Sequence, residues 1–186
     1  ADTERETMNI NHFFKAIVSD DKKHAMPILS FPAVHQLGVS VNSMLHSAEL
    51  QARAMELVAR STDTVAAVSF MDLSLEAEAF GAEVMFGENE VPAIIGQLIS
   101  DQAQAKALQV PDLTVGRIPV AVEAICLAKK KITEKPVFAG IIGPFSLAGR
   151  LMDVTEIMYT CYDDPESVHE VLRKVTEFLK NYTAAL

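Results

Sequence analysis

Two apolar, β-branched runs in this chain stop abruptly at polar residues and then turn helical. Val65–Phe70 runs into Asp72 and then Ser74–Phe80, which closes on Gly81. Val137–Ile142 runs into Gly143-Pro-Phe-Ser146 and then Leu147–Met152. A short buried strand that hands over to polar, Gly or Pro residues before a helix is the sequence form of a βα unit. Met26–Phe31, ending at Pro32, reads as a third strand, with a loop running on through Gly38. Glu83–Phe86 fits a short strand, whereas Pro92–Ile99 fits either an apolar helix or an irregular segment.

Apolar residues at the helical period lie between these runs. Ile10, Phe13, Phe14 and Ile17 follow Thr3-Glu-Arg-Glu6, a capping box, and predict a leading helix. Leu45, Ala48, Ala52, Met55 and Val58 mark one long helix from Asn42 to about Arg60. Val115, Ile118, Val122, Ile125 and Cys126 mark another over Thr114–Lys131. Ser74 is the expected N-cap of the short helix that ends at Gly81. Asp164-Pro165-Glu166 combines an N-cap, a first-turn Pro and an acid, and opens an amphipathic helix from Val168 to Tyr182. Strands alternating with helices argue for an α/β fold with parallel pairing. No repeat and no Pro- or Gly-rich linker divides the chain, so residues 1–186 read as a single domain.

Bulk composition narrows the function. A net charge of −9, with no basic cluster beyond Lys129-Lys-Lys131, excludes a phosphate-neutralising face and argues against nucleic acid. The lysine triplet fits a helix C-terminus, where cations meet the negative end of the dipole. Hydrophobic content is 49%, high enough to suggest that some apolar surface serves a partner. Cys126 and Cys161 are too few for a disulfide scaffold, and fit a reducing cytoplasm with both thiols packed in helices. The chain shows no signal peptide and no apolar run of the roughly 18 residues a membrane span needs. It opens on Ala1 rather than Met, which points to processing or to a boundary within a longer sequence.

Ligands of parallel α/β folds bind where strands give way to helices. Asp72 is therefore the leading catalytic candidate, a carboxylate at a strand end; the alternative is that it caps the next helix, a task Ser74 can perform instead. Glu76 and Glu78 are two apart on a helix and do not share a face, so one is expected at the mouth and the other in solvent. His35 follows the first strand and is a candidate for substrate binding, as is Arg150 beyond the Gly143 turn. Phe31, Phe70 and Phe145 are candidates either for a pocket wall or for core. Gly143-Pro-Phe-Ser146 lacks the Lys-Ser/Thr that a phosphate loop requires. His46 and Glu49 alone do not make a metal site, and His12, His24 and His169 have no ligand-type neighbours. No metal is expected.

Several segments resemble the uroporphyrinogen decarboxylase superfamily: Asp72-Leu-Ser-Leu-Glu-Ala-Glu-Ala-Phe-Gly81, Gly116-Arg-Ile-Pro119, Gly143-Pro-Phe-Ser-Leu-Ala148 and Asp164-Pro-Glu-Ser-Val168. They are most similar to its corrinoid branch, the zinc-dependent methylcobalamin:coenzyme M methyltransferases. The resemblance runs over nearly the whole chain and implies a (β/α)8 barrel. Such a barrel needs eight strands and about 250 residues, so the chain reads as an N-terminal half barrel, its open edge covered by a second copy or a complementary half. The implied reaction moves a methyl group from a methylcorrinoid, presented by a corrinoid protein or as a small molecule, to a thiol-type acceptor. Asp72 would shape the pocket with His35 and Arg150, and Phe31, Glu76 and Phe145 would line it. The family's zinc ligands, a His-x-Cys pair and a later Cys, are not matched here, so the isolated chain is expected to be inactive. The alternatives are a uroporphyrinogen decarboxylase and a non-catalytic half-barrel binding module. The decarboxylase is disfavoured because no Arg or Lys lies between His24 and Gln51 to bind propionates, and Arg150 stands where that enzyme carries a tyrosine.

Overall fold

The computed structural model describes residues 9–28 and 31–186. Helix α1 (Ile10–Ser19) is capped by Asn9, whose side chain accepts from the amides of Asn11 and His12. The box at Thr3–Glu6 lies outside the described residues. Ala25 forms a parallel bridge with Thr64. Beyond it Met26–Ile28 carry no ladder, and Leu29 and Ser30 lie outside the described residues. The expected loop to Gly38 is instead helix α2 (Pro32–Leu37), opened by Pro32 and closed by Gly38 at φ 65°.

The long helix expected over Asn42–Arg60 is two helices, α3 (Val41–Leu45) and α4 (Ala48–Ser61). Ser47 breaks it: an N-cap needs extended backbone, and its hydroxyl accepts from the Leu50 amide. Then come β1 (Ala67–Val68), α5 (Leu75–Ala79), β2 (Glu83–Met85) and β3 (Ala93–Ile95). The last two pair antiparallel, so part of the ambiguous Pro92–Ile99 segment is a strand. Helix α6 (Gln102–Ala107), capped by Asp101, has no counterpart in the sequence reading. Helix α7 (Ile118–Lys131) begins four residues later than expected, after a turn, and ends on the lysine triplet as expected.

Strand β4 (Val137–Phe138) lies parallel to β1, with Ala67 opposite Val137 and Val68 opposite Phe138. The Ala25–Thr64 bridge, also parallel, links the chain before α2 to the start of the β1 segment. The α/β fold with parallel strands is thus present. Helix α8 (Pro144–Met152) is followed by α9 (Val154–Asp163), which Asp153 separates from it at φ 67° while capping the new helix through the amides of Thr155 and Glu156. Helix α10 (Pro165–Ala185) starts on Asp164 and Pro165 as expected.

Two packing surfaces fix the strand ends. On one side Ala52, Met55 and Ala59 of α4 meet Ile125, Ala128 and Ile132, enclosing Ala67. On the other, Val171, Val175, Phe178 and Tyr182 of α10 pack among α5, α7 and α8. Each such large side chain, fully buried, stabilises the fold by about 1.5–3 kcal/mol. Lys174, buried within this layer, donates to the carbonyls of Ala105 and Lys106 and satisfies groups left open at the end of α6. Cys126 and Cys161 sit in helices but at the surface, not packed as expected. Among the described residues no helix is long and apolar enough to cross a membrane.

Candidate functional site

Because β1 and β4 run parallel, the segments that follow them emerge at the same end. Side chains then take over from the ladder. The Ser69 hydroxyl accepts from the Gly140 amide at 2.8 Å, and Glu76 Oε1 accepts from the Ile142 amide at 3.1 Å. The two strand-end loops are thereby tied together. A Cβ at Gly140 would lie 2.5 Å from Met71 Sδ, so any larger residue there would require the flexible Met71 side chain to move.

Asp72 lies at this end and is buried, 8% exposed. Its Oδ1 accepts from both the amide and the hydroxyl of Ser74, at 2.9 and 2.7 Å. Its Oδ2 accepts from Arg117 Nη1. Ser74, the expected cap, makes no side-chain bond to the helix it precedes; Asp72 organises that turn instead. Arg117 is itself buried and serves three partners. Beyond Asp72 it donates to Glu78 Oε2 at 2.7 Å and to the Ser74 hydroxyl at 3.0 Å, and its guanidinium lies 4.8 Å from the centre of the Phe86 ring.

Sequence reasoning assigned Arg117 no role. One signal was available. A cation at the start of a helix opposes the helix dipole, so an arginine immediately before α7 implies nearby carboxylates. Glu76 and Glu78 do lie on different sides of α5, yet neither is left to solvent as expected. Glu78 is held by Arg117, and Glu76 is only 3% exposed. The second oxygen of Glu76 is buried without a partner. Burial, with a smaller contribution from nearby Asp72, pushes its carboxyl above the ordinary range. An internal cavity of about 30 Å³ adjoins Asp72, Arg117, Ser69 and Tyr182.

A larger cavity of about 440 Å³ opens beside this cluster. Met71 and Leu73, which flank Asp72, form one wall, and Ile141–Gly143 form the opposite one. Phe145 and Arg150 of α8 and Val154, Ile157 and Met158 of α9 complete it. The Asp72 carboxylate is turned toward Arg117 and is not part of this lining. Phe145 and Arg150, both singled out from the sequence, are thus brought together. Phe31 is not with them: its ring packs edge-on against Phe70 at 5.7 Å in the cluster around α2 and α4, so these two aromatics serve as core. His35 is exposed on α2 and is not brought to the cavity.

No group of three His, Cys, Asp or Glu among the described residues is arranged to hold a metal. Cys126 and Cys161 lie on different helices, and the described residues do not make a zinc site.

Known proteins place this arrangement in context. Residues 24–186 match the family model for uroporphyrinogen decarboxylase. A uroporphyrinogen decarboxylase of Xylella fastidiosa is 29% identical over 127 residues, 64% of this chain and 35% of the relative. A methylcobamide:CoM methyltransferase (MtbA) of Methanosarcina acetivorans is 34% identical over 79 residues, 41% of this chain and 23% of the relative. A methyltransferase from Methanosarcina mazei shares the fold, with a TM-score of 0.79 at 24% identity over 89% of this chain and 51% of that one. The chain thus spans about half or less of the proteins it matches.

Proposed function

The chain belongs to the uroporphyrinogen decarboxylase family, and we propose that within it the chain is the N-terminal portion of a (β/α)8 barrel from a corrinoid-dependent methyltransferase. The complete enzyme would transfer a methyl group from a methylcorrinoid to a thiol-type acceptor. The observation that supports this most is the cavity between the β1 and β4 ends, walled by apolar side chains and carrying, among the described residues, a single cation, Arg150. A porphyrinogen substrate bearing many carboxylates needs several cations. Arg117 is not available to it, because Asp72 and Glu78 already engage its guanidinium.

In this reading the chain's own residues shape and dry the acceptor pocket. Met71, Leu73, Ile142 and Phe145 exclude water, which strengthens any charge interaction inside. Asp72 is a positioning residue: through Ser74 and Arg117 it fixes the loop that carries Met71 and Leu73. Glu76 fixes the facing loop through the Ile142 amide. A corrin macrocycle is far larger than this cavity and would meet the chain across the open strand ends. When bound, the corrinoid supplies the methyl group. Activation of the thiol would fall to a metal site outside this chain, in the part of the relatives' length that it does not span.

The test mixes methylcobalamin and a thiol with the 186-residue chain, and with any longer protein whose reading frame continues past Leu186. Demethylation is followed by absorbance. Transfer by the longer protein and not by the chain alone supports the reading. Transfer by the chain alone, or conversion of uroporphyrinogen to coproporphyrinogen by either, overturns it.

A further inference from the structure

We infer that the cavity between the strand ends receives a molecule with an apolar body and one anionic group, and that Arg150 pairs with that group. The inference rests on the reading of this cavity as the acceptor pocket and specifies the chemistry of its occupant. The volume of about 440 Å³ lies within the range, roughly 300–1,000 Å³, of small-molecule clefts. Its walls are dominated by thioether, aliphatic and aromatic groups, so the body of the ligand must be apolar to leave no polar group unpaired.

The anionic group follows from Arg150. Arg60 pairs with Glu56 and Glu134, and Arg173 with Glu170 and Glu177; Arg53 has no ion pair among the described residues but is exposed to water, whereas Arg150 stands on a cavity wall. Among the described residues Arg150 has no carboxylate within ion-pair distance and makes no hydrogen bond, although it is half-buried on a cavity wall. A guanidinium in an apolar, partly desolvated wall attracts a carboxylate or sulfonate more strongly than one in open water. With Arg150 the one cation among the described lining residues, these walls themselves compensate one anionic group of the ligand.

The experiment uses the 186-residue chain, isotopically labelled, with 4-phenylbutyrate as the anionic probe and 4-phenylbutanol as its neutral counterpart. Binding is read from NMR shifts of the Met71 and Met158 methyls and the Arg150 side-chain N–H. The expected result is that the carboxylate binds at least about tenfold more tightly than the alcohol. Arg150→Gln should erase that difference, with backbone spectra confirming an unchanged fold, and Arg150→Lys should restore most of it. If acid and alcohol bind the cavity equally, or if Arg150→Gln leaves the preference intact, the inference is overturned while the pocket reading stands. If neither probe shifts the cavity residues, both are overturned.

Discussion

Arg117→Met is the most informative single change. It removes the only cation that, among the described residues, touches Asp72 and Glu78, while keeping an apolar stem over Phe86. Arg117 and Asp72 have side chains only 5% exposed, so water cannot replace the lost partner at Asp72. Breaking a buried pair by deleting one member costs about 3–5 kcal/mol, because an uncompensated charge remains behind. Glu78, about a quarter exposed, adds little to this. Against a typical domain stability of about 5–15 kcal/mol, the loss is a large fraction. Urea unfolding followed by circular dichroism should show it as a midpoint lowered by about 1.5–2.5 M, taking an m-value of about 2 kcal/mol/M. The double variant with Asp72→Asn should recover part of the loss, because the stranded charge is gone. Arg117→Lys should fall between, since one ammonium cannot reproduce a fork that reaches Asp72, Ser74 and Glu78. A loss below about 1 kcal/mol for Arg117→Met, the value of an exposed pair, would refute the claim that this cluster organises the strand ends.

Glu76→Gln tests the neighbouring carboxyl. Burial raises the folded-state pKa of Glu76, so its favourable contribution is complete below the unfolded value and is lost as pH rises through the folded one. Glu76→Gln should therefore gain on the parent as pH rises above the ordinary carboxyl range, read from urea midpoints at a series of pH values. A difference that stays flat or shrinks with pH would contradict it. Asp153→Ala should cost about 1–2 kcal/mol through the lost cap and the left-handed backbone at φ 67°, whereas Asp153→Asn should be nearly neutral, both measured by thermal unfolding.

The β1 and β4 segments and the chemistry at their ends were legible because Val65–Phe70 and Val137–Ile142 are apolar runs that stop at Asp72 and Gly143. Their lengths were not. The ladder ends after two paired residues because Ser69 and Glu76 capture the next amides on the facing loop, a substitution of side chain for backbone that periodicity does not register. Leu45 and Ala48 keep the helical period across Ser47, hiding the break between α3 and α4. Helix α6, Gln-Ala-Gln-Ala-Lys-Ala, has too little apolar contrast to be seen. Phe145 and Arg150, singled out because they follow a strand closely, both line the cavity beside the strand ends. Arg117 was missed because its partners are 39 to 45 residues away in sequence.

The tie between the strand-end loops has an evolutionary consequence. Ser69 and Glu76 grip main-chain N–H groups at positions 140 and 142 and are indifferent to the side chain carried at 142. A larger residue at position 140 would require the Met71 side chain to shift. Ile141, only partly buried, can therefore be exchanged at less cost than Ile142, whose side chain belongs to the buried core, while the frame around them keeps its shape. A lineage can in this way retailor the lining to a new small molecule without first rebuilding the scaffold.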